Sequence, residues 1–299
     1  MTTKGIDVSG WNCETVPIDF GRVKASGIDF VIVKAGYFTS TVATFEQNYI
    51  GAKAAGLHVG AYWFSYAETV EEAKREAAAC IAAIKDKQFD FPIYFDLEWQ
   101  KQLDKGKAFC SEIADAFCGE LQKAGYLAGL YMSRCPLRDL IYPEVAKKYE
   151  LWIAEWGSEC RYDGEYGVWQ YSETGRVDGV TGAVDLDHCY KDYPSIIANG
   201  GYNGFGTKKT VEQLAREVWD GKWGNGDDRR NRLTAAGYDY NAVQKRVNEL
   251  MYKPKKTVDE LAREVIHGDW GNGNERKRRL TEAGYNYTVV QARVNQLMR

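Results

Sequence analysis

Short apolar runs alternate with longer amphipathic segments along residues 1–195. Runs rich in Val, Ile and aromatic residues predict strands, and apolar positions spaced three and four apart predict helices. Strands are expected at residues 5–9, 30–36, 58–65, 92–98, 127–133, 151–156, 167–171 and 183–190. Helices are expected at residues 45–55, 70–84 and 107–124. This order predicts an α/β fold, a TIM-like (β/α) barrel of parallel strands that is irregular in its second half because the later connections are short.

The C-terminal part of the chain contains an internal duplication. The segment TVEQLAREV, which begins at Thr210, recurs from Thr257 as TVDELAREV, and a GKWGNG turn recurs as GDWGNG. Each copy predicts three short helices, the first of which begins after a Thr N-cap. A copy of about forty residues buries little surface, so Trp223 and Trp270 are expected to anchor the two small cores.

Two segments of different composition separate these parts. Residues 197–209 are rich in glycine, which is typical of a flexible linker, and residues 253–256 form a short basic joint. The expected organisation is a barrel domain at residues 1–196, a first three-helix repeat domain at residues 210–252 and a second one at residues 257–299.

Two carboxylates stand two residues apart at the end of the fourth predicted strand. Asp96 and Glu98 share one face of that strand because strand side chains alternate in direction. Each carboxylate disfavours ionisation of the other, and burial raises both pKa values further. Cleavage of a glycosidic bond needs such a pair, with one carboxyl protonated near neutral pH and one charged. A D-x-E sequence alone is more often a loop cap or an ion-pair partner, so the interpretation depends on its neighbours.

Barrels of this kind carry their chemistry at the C-terminal ends of the strands. The predicted strands bring further acids to the site, at Asp7, Asp185 and Asp187. The other candidates for this site are Lys34, Tyr62, Phe64, Tyr131, Trp152, Trp169 and Gln170. Acids and aromatic rings around one pit are typical of a sugar-cleaving site. The aromatic residues could equally fill the barrel core, and the lysine could neutralise the acids or pair with Asp7 instead of touching substrate.

The charge and the cysteine and histidine content of the chain argue against several classes of function. A net charge of -3 argues against a general nucleic-acid binder. The seven cysteines include no C-x-x-C pair, which predicts reduced thiols and cytoplasmic synthesis. The three histidines lack ligand spacing, so neither a metal nor a cofactor is expected. No signal peptide and no membrane-spanning stretch are evident, so a target outside the membrane would require another route of release.

Several sequence segments, in their order along the chain, resemble those of the family 25 glycoside hydrolases, the phage and bacterial muramidases. The resemblance covers roughly residues 4–192 and includes the segments GIDVS, FVIVKA, FEQN, AAGLHVGAYWF, GLYMS, LWIA, WQY and VDL beside the D-x-E strand. The duplicated copies resemble CW-seven cell-wall-binding repeats through their GxWGNG and GYxY segments. The resemblance implies cleavage of the β-1,4 bond between N-acetylmuramic acid and N-acetylglucosamine in bacterial peptidoglycan, after release of the protein by cell lysis.

The resemblance also implies roles for the acids. Carried over by position, Glu98 is the general acid and Asp96 is its partner, while Asp7 and Asp185 are further acids of the pocket. Many members carry Asn where Asp187 stands, and we expect Asp185 to face the substrate. Either Asp96 orients the substrate's own 2-acetamido group for a retaining reaction, or an acid across the cleft activates water for an inverting one.

The residues are also compatible with two other functions. One is a wall-binding protein whose barrel has lost activity, against which the intact acids argue. The other is a glycosidase for another N-acetylated glycan such as chitin, and wall-binding repeats favour peptidoglycan over this substrate. Bacterial peptidoglycan is the expected partner, without nucleic acid or membrane insertion, and the sequence predicts no oligomeric state.

Overall fold

The structure is a computed structural model that describes residues 2–13, 16–206, 209–251 and 256–299. The chain divides into two compact units, Met1–Lys208 and Lys209–Arg299. The predicted basic joint at residues 253–256 lies outside the described residues except for Lys256.

A closed barrel of eight strands forms the first unit. The strands are β1 (Thr3–Val8), β2 (Phe30–Tyr37), the short β3 (Ser40–Thr41), β4 (His58–Phe64), β5 (Ile93–Asp96), β6 (Ala128–Ser133), β7 (Glu150–Ala154), β8 (Val168–Gly175) and β9 (Val184–Cys189). The ring order is β1, β2, β4, β5, β6, β7, β8, β9, and β9 pairs again with β1, while β3 extends β2 outside the ring. The predicted TIM-like barrel is confirmed.

One strand differs from the expected parallel arrangement. β9 runs antiparallel to both β8 and β1, whereas every other neighbouring pair in the ring is parallel. The connection before β9 spans only residues 176–183, and a parallel return requires a crossover of about a dozen residues or more. The prediction of parallel strands throughout is therefore wrong at β9.

Helices cover the outside of the barrel mainly in its first half. They are α1 (Phe20–Ala25), α2 (Phe45–Ala54), α3 (Val70–Ile84), α4 (Gln100–Leu103), α5 (Gly106–Lys123), α6 (Arg134–Leu140) and α7 (Pro143–Ala146), and α8 (Tyr193–Gly200) follows the last strand. Thr69 is the N-cap of α3: its side chain accepts a hydrogen bond from the backbone N–H of Glu72 at 3.1 Å, which favours the start of the helix there. The connections after β7 and β8 contain no helix, as the irregular second half predicts.

Alternating side chains divide the barrel into two apolar layers. On β2, Val31 and Val33 face the helices, while Phe30 and Ile32 face the barrel interior. The interior is filled mainly by aromatic rings below its open end. Phe30 fits there because its register neighbour Gly5 has no side chain: a Cβ at that position would lie 2.2 Å from the Phe30 ring. The lower barrel is therefore a packed core that supports a polar mouth.

The first part of the predicted linker at residues 197–209 packs on the barrel instead. Asn203 is fully buried: its side chain accepts a hydrogen bond from Leu127 N at 2.8 Å and donates one to Phe91 O at 2.8 Å. Gly201 ends α8 in the left-handed region with φ of 71°, which a glycine adopts without steric cost. The glycines there serve a turn, so the prediction of a flexible linker is wrong for these residues.

The second unit consists of two three-helix repeats. The first contains α9 (Val211–Trp219), α10 (Gly226–Ala235) and α11 (Tyr240–Met251), and the second contains α12 (Val258–His267), α13 (Gly273–Glu282) and α14 (Tyr287–Leu297). Thr210 and Thr257 are the N-caps of α9 and α12, and each forms a reciprocal capping box with the residue three positions on. The described residues include no helix with both the length and the apolar character needed to cross a membrane.

Each repeat has its own small apolar core. The first is built on Leu214, Ala215, Val218, Leu233, Val243 and Val247, and the second on Leu261, Ala262, Val265, Leu280, Val290 and Val294. The half-buried Trp223 packs edge-on against Tyr238 with centroids 5.9 Å apart, and its Nε1 donates to Glu217 at 3.0 Å. Trp270 repeats this arrangement. The tryptophans therefore anchor the edge of each core.

Candidate active site

Acidic side chains meet inside the barrel at the end where β1 and its parallel neighbours finish. Asp7 lies near the end of β1, Asp96 ends β5, and Glu98 follows two residues later. Asp185 lies near the start of β9 and pairs directly with Asp7 across the antiparallel ladder. The reversed direction of β9 brings Asp185 to this mouth, because a parallel strand with the same start would hold it at the opposite end.

The acids at the mouth differ in exposure. Asp7 and Asp96 are buried within the barrel. Asp185 is half-buried, and Glu98 is exposed at the rim. Among these four acids Glu98 is therefore the most accessible from solvent.

Burial and like charges raise the pKa values of the acids on the β1–β9 side. Burial is the largest cause of the strongly raised pKa of Asp7, and the carboxylates of Asp187 and Asp185 add to it. The pKa of Asp185 rises to about 6, mainly through burial and then through the carboxylate of Glu173. Asp7 interacts electrostatically with both Asp185 and Asp187, so the three carboxyls titrate together.

The pKa values of Asp96 and Glu98 also depend on burial and on neighbouring carboxylates, and in addition on the positive charge of Lys34. Burial and the Glu98 carboxylate raise the pKa of Asp96, while the charge of Lys34 opposes the rise. The pKa of Glu98 is also raised, first by burial within the concave mouth, with Asp185 adding to the rise and Lys34 opposing it. An acid whose pKa is shifted upward stays protonated closer to neutral pH, as a general acid must.

Lys34 extends from β2 into the mouth over aromatic rings. Its Nζ lies 4.6 Å from the ring centroid of Phe64 and 5.6 Å from that of Tyr62. Among the described residues it forms no ion pair within 4.0 Å, so the predicted alternative of a salt bridge with Asp7 is not formed. Burial lowers the pKa of Lys34, and the surrounding carboxylates act against this. The lysine is a charge near the acids and not a direct partner of one.

A buried amide orients Asp7. The Nε2 of Gln170 donates to Asp7 Oδ2 at 2.8 Å. Its Oε1 accepts from the Tyr131 hydroxyl at 3.0 Å and from Trp156 Nε1 at 3.3 Å. Gln170 therefore links a buried tyrosine and a rim tryptophan to an acid of the mouth.

Three predicted substrate-binding residues lie away from the open mouth. Trp152 is buried beneath the interior rings and donates through Nε1 to Asp187 Oδ1 at 2.8 Å, and Asp187 is itself fully buried. Trp169 projects from the outer face of β8, where its Nε1 donates to Glu155 O at 2.7 Å and its ring contacts His188. The prediction that these three side chains contact substrate is therefore wrong.

Other aromatic side chains at the mouth were not predicted. Trp156 follows β7 and is 56% exposed although its Nε1 bonds to Gln170. Tyr66 contacts Phe64 and Trp99, with centroid distances of 4.8 and 5.1 Å. All three newly found residues lie in loops that directly follow barrel strands, and this position is the signal that could have identified them. Within the described residues, no group of three or more His, Cys, Asp or Glu could hold a metal ion.

Family models match both parts of the chain. The model described as Glycosyl hydrolases family 25 matches residues 6–180, which is more than half of the 299 residues. The CW_7 repeat model matches residues 212–251 and 259–298. These matches confirm the resemblance of the barrel and of the two repeats.

Individual relatives agree with the family models. The autolytic lysozyme of Clostridium acetobutylicum is 31% identical over 216 residues, which cover 70% of this chain and 64% of that protein. The lysozyme of Streptococcus phage Cp-7 is 33% identical over 142 residues, which cover 44% of this chain and 38% of that protein. The match thus spans less than two thirds of either relative.

A solved structure shares the barrel. The crystal structure of the CTP1L endolysin superposes with a TM-score of 0.58 at 26% identity and covers 66% of this chain and 70% of that one. The family match over residues 6–180 agrees with the closed barrel and with the acids at its mouth. The chain therefore belongs to the glycosyl hydrolases family 25 and carries two CW_7 repeats behind its barrel.

Proposed function

We propose that this protein is a peptidoglycan hydrolase that cleaves the β-1,4 bond between N-acetylmuramic acid and N-acetylglucosamine. The observation that carries the proposal is the exposed Glu98, whose pKa is raised at a mouth where the deeper acids Asp7, Asp96 and Asp185 converge. The lysozyme and endolysin names of the relatives support this substrate. Action on the wall after release from the cell is part of the same proposal.

Glu98 acts as the general acid. It gives its proton to the oxygen of the leaving sugar as the glycosidic bond breaks. Its position at the rim lets it touch a polymer that lies across the mouth, and the raised pKa keeps the proton available. The exposed ring of Trp156 and the ring pair of Tyr66 and Trp99 offer flat surfaces against which sugar rings stack.

Asp96 assists from below. It precedes Glu98 by only two residues, so it approaches the sugar from the same side and cannot attack the opposite one. Its Oδ1 is buried and has no hydrogen-bond partner among the described residues, which leaves it free to accept the N–H of the substrate's 2-acetamido group. Asp96 would then orient that group for attack on the anomeric carbon, which gives retention of configuration.

Asp185 offers the alternative, inverting route. It is half-buried on the β9 side of the mouth, and a carboxylate there could activate a water molecule. NMR spectroscopy of the first-formed product distinguishes the two routes. A β-anomer that appears first supports the substrate-assisted reaction, and an α-anomer that appears first replaces it with the inverting one.

Mass spectrometry of digested peptidoglycan tests the reaction itself. Fragments with N-acetylmuramic acid at their reducing ends are the expected product. Fragments that end in N-acetylglucosamine would show cleavage of the other bond, and release of sugars from chitin but not from peptidoglycan would show a different substrate. Either result would contradict the proposed function.

A further inference from the structure

Glu155 is a carboxylate that two arginines share at the mouth of the barrel. It directly follows β7, and its side chain is only 8% exposed. Its Oε1 lies 2.8 Å from Nε of Arg134 and accepts a hydrogen bond from Nε of Arg161 at 2.7 Å. Its Oε2 accepts the backbone N–H of Arg161 at 2.7 Å. Since Arg134 begins α6 directly after β6, this one carboxylate joins the segments that follow two neighbouring strands.

The backbone of the same segment is bound to β8. Glu155 N donates a hydrogen bond to Gln170 O at 3.2 Å, and Gly157 N donates one to Tyr171 O at 3.1 Å. Trp156 stands between these two residues. The carboxylate of Glu155 and the two backbone bonds therefore hold the short stretch of chain from which the Trp156 ring projects.

The indole of Trp156 decides the orientation of the Gln170 amide. An indole nitrogen can only donate a hydrogen bond, so the atom of Gln170 that it contacts at 3.3 Å is the acceptor Oε1. The other end of the amide, Nε2, then faces Asp7 and donates to its Oδ2 at 2.8 Å. Reversal of the amide would bring its NH2 group against the indole N–H, and two donors cannot bond to each other.

We propose that Glu155 is a positioning residue that acts through Trp156. Its carboxylate fixes the loop that carries Trp156, and the fixed indole holds the Gln170 amide in the orientation that donates to Asp7. The ring itself is more than half exposed, which leaves it available to a sugar. This role rests on the proposed function, since it fixes an aromatic ring and an acid of that site.

A carboxylate suits this position better than a neutral side chain of the same size. It offers two charged oxygens, which serve two guanidinium groups and one backbone N–H together. The Arg134 side chain is only 19% exposed, so little solvent is available to replace its partner. Glu155→Gln keeps the length of the side chain but leaves one acceptor oxygen and no charge, so we expect it to loosen the loop.

A double-mutant cycle separates this role from a general effect on stability. In the otherwise wild-type chain we expect Glu155→Gln to lower kcat/KM on purified peptidoglycan by about tenfold. In Trp156→Ala the ring to be positioned is absent, so the same substitution should change kcat/KM by less than about twofold. The exposed Glu159→Gln of the same loop is the matched control and should have little effect in either background. An equal fall for Glu155→Gln in both backgrounds would overturn the role.

Hydrogen exchange of the indole protons tests the positioning without any substrate. The NMR signal of the Trp156 indole in the 299-residue chain is identified by its loss in Trp156→Phe. We expect Glu155→Gln to speed exchange of this proton by about tenfold or more, because the loosened ring loses its bond to Gln170. The indole proton of Trp152, which is bonded to Asp187 in the barrel interior, should keep its exchange rate. An unchanged rate at Trp156, or an equal acceleration of both protons, would contradict the proposal.

The two experiments fail independently. If the wild type does not cleave peptidoglycan, the proposed function fails, while the exchange rates still show whether Glu155 fixes Trp156. If the wild type cleaves peptidoglycan but Glu155→Gln leaves the exchange of the Trp156 proton unchanged, the proposed function stands and the role of Glu155 is overturned.

Discussion

Two acids that are two residues apart have different environments in this site. Asp96 is buried on β5 and has an unpartnered oxygen, while Glu98 has left the strand and is exposed at the rim. The buried acid suits a role that needs fixed orientation, and the exposed one suits proton transfer to a polymer. This division follows from the strand ending at Asp96, since Leu97 is still buried and Glu98 is the first exposed residue after β5.

Glu98→Gln removes the proposed proton donor but keeps the shape of the side chain. We expect the variant to lose nearly all hydrolysis of peptidoglycan, because an amide cannot protonate the leaving oxygen. Binding to intact cell walls should persist, since the substitution leaves the CW_7 repeats unchanged. Reducing-sugar release and wall sedimentation measure the two properties. Residual activity of about a tenth or more of the wild-type value would exclude Glu98 as the general acid.

Lys34→Met removes the positive charge from the mouth. That charge lowers the pKa values of Asp96 and Glu98, so its loss should raise them. The alkaline limb of kcat/KM, where the general acid loses its proton, should therefore move to higher pH. The exposed Lys24→Met is the control with unchanged charge at the mouth. A limb that moves to lower pH would contradict this account of the electrostatics.

Strand alternation explains which site residues could be predicted. Asp96, Tyr62 and Gln170 lie on the inner face, as the alternation of a reliable strand pattern predicts, while their contact with substrate stays a prediction. Trp169 was misplaced because its flat ring suggested sugar binding, although it lies one position from Gln170 and so faces outward. Trp156 was missed because it belongs to a loop, where side-chain direction has no fixed period.

The loop after β4 is tied to the barrel by buried polar side chains of two helices. Glu76 of α3 accepts the backbone N–H of Tyr66 through Oε1 at 2.9 Å. Gln102 of α4 donates to Ser65 Oγ at 2.9 Å and to Ala67 O at 2.8 Å. These elements therefore hold the loop that carries one of the aromatic rings at the rim.

Glu76→Gln tests this buried anchor. Burial raises the pKa of Glu76 to about 7, so the folded wild type holds a proton that the unfolded chain has released above its ordinary pKa of 4.5. Wild-type stability should therefore fall relative to the variant between pH 4.5 and about 7. Unfolding curves at several pH values measure the difference, with the exposed Glu71→Gln of the same helix as control. A difference that does not change with pH would refute the burial effect.

Connection length explains where the fold departed from prediction. The eight strands were readable as short apolar runs, and the early helices as longer periodic segments. The direction of β9 was not read from its strand pattern, since pairing direction depends on the connection before it. The glycines near Gly201 suggested a linker, but the neighbouring Asn203 is buried in the barrel, and such a tertiary contact has no local signature.

The chain joins a family 25 barrel to two similar repeats. Each repeat has its own core and its own capped first helix, so the duplication supplies two structurally equivalent modules. Under the proposed function, two wall-binding sites on one chain would raise the effective concentration of the barrel at a polymeric wall without any new contact to the bond that is cut. This arrangement suits an enzyme whose substrate is insoluble.

A chain that ends at residue 208 tests the role of the repeats, since the barrel has its own two apolar layers. We expect it to sediment poorly with purified walls and to lose activity on intact walls by about tenfold or more. Turnover of short soluble glycan fragments should stay near the value for the full chain, which serves as the reference. Unchanged sedimentation with walls would contradict a targeting role for the repeats.

An NMR titration of the Glu98 side-chain carboxyl in the 299-residue chain shows directly whether this residue can donate the proton. We expect a Glu98 pKa clearly above the usual glutamate value and equal to the pKa of the alkaline limb of kcat/KM on peptidoglycan. A Glu98 carboxyl that titrates at the usual value, or an alkaline limb that does not follow it, would contradict proton donation by this residue.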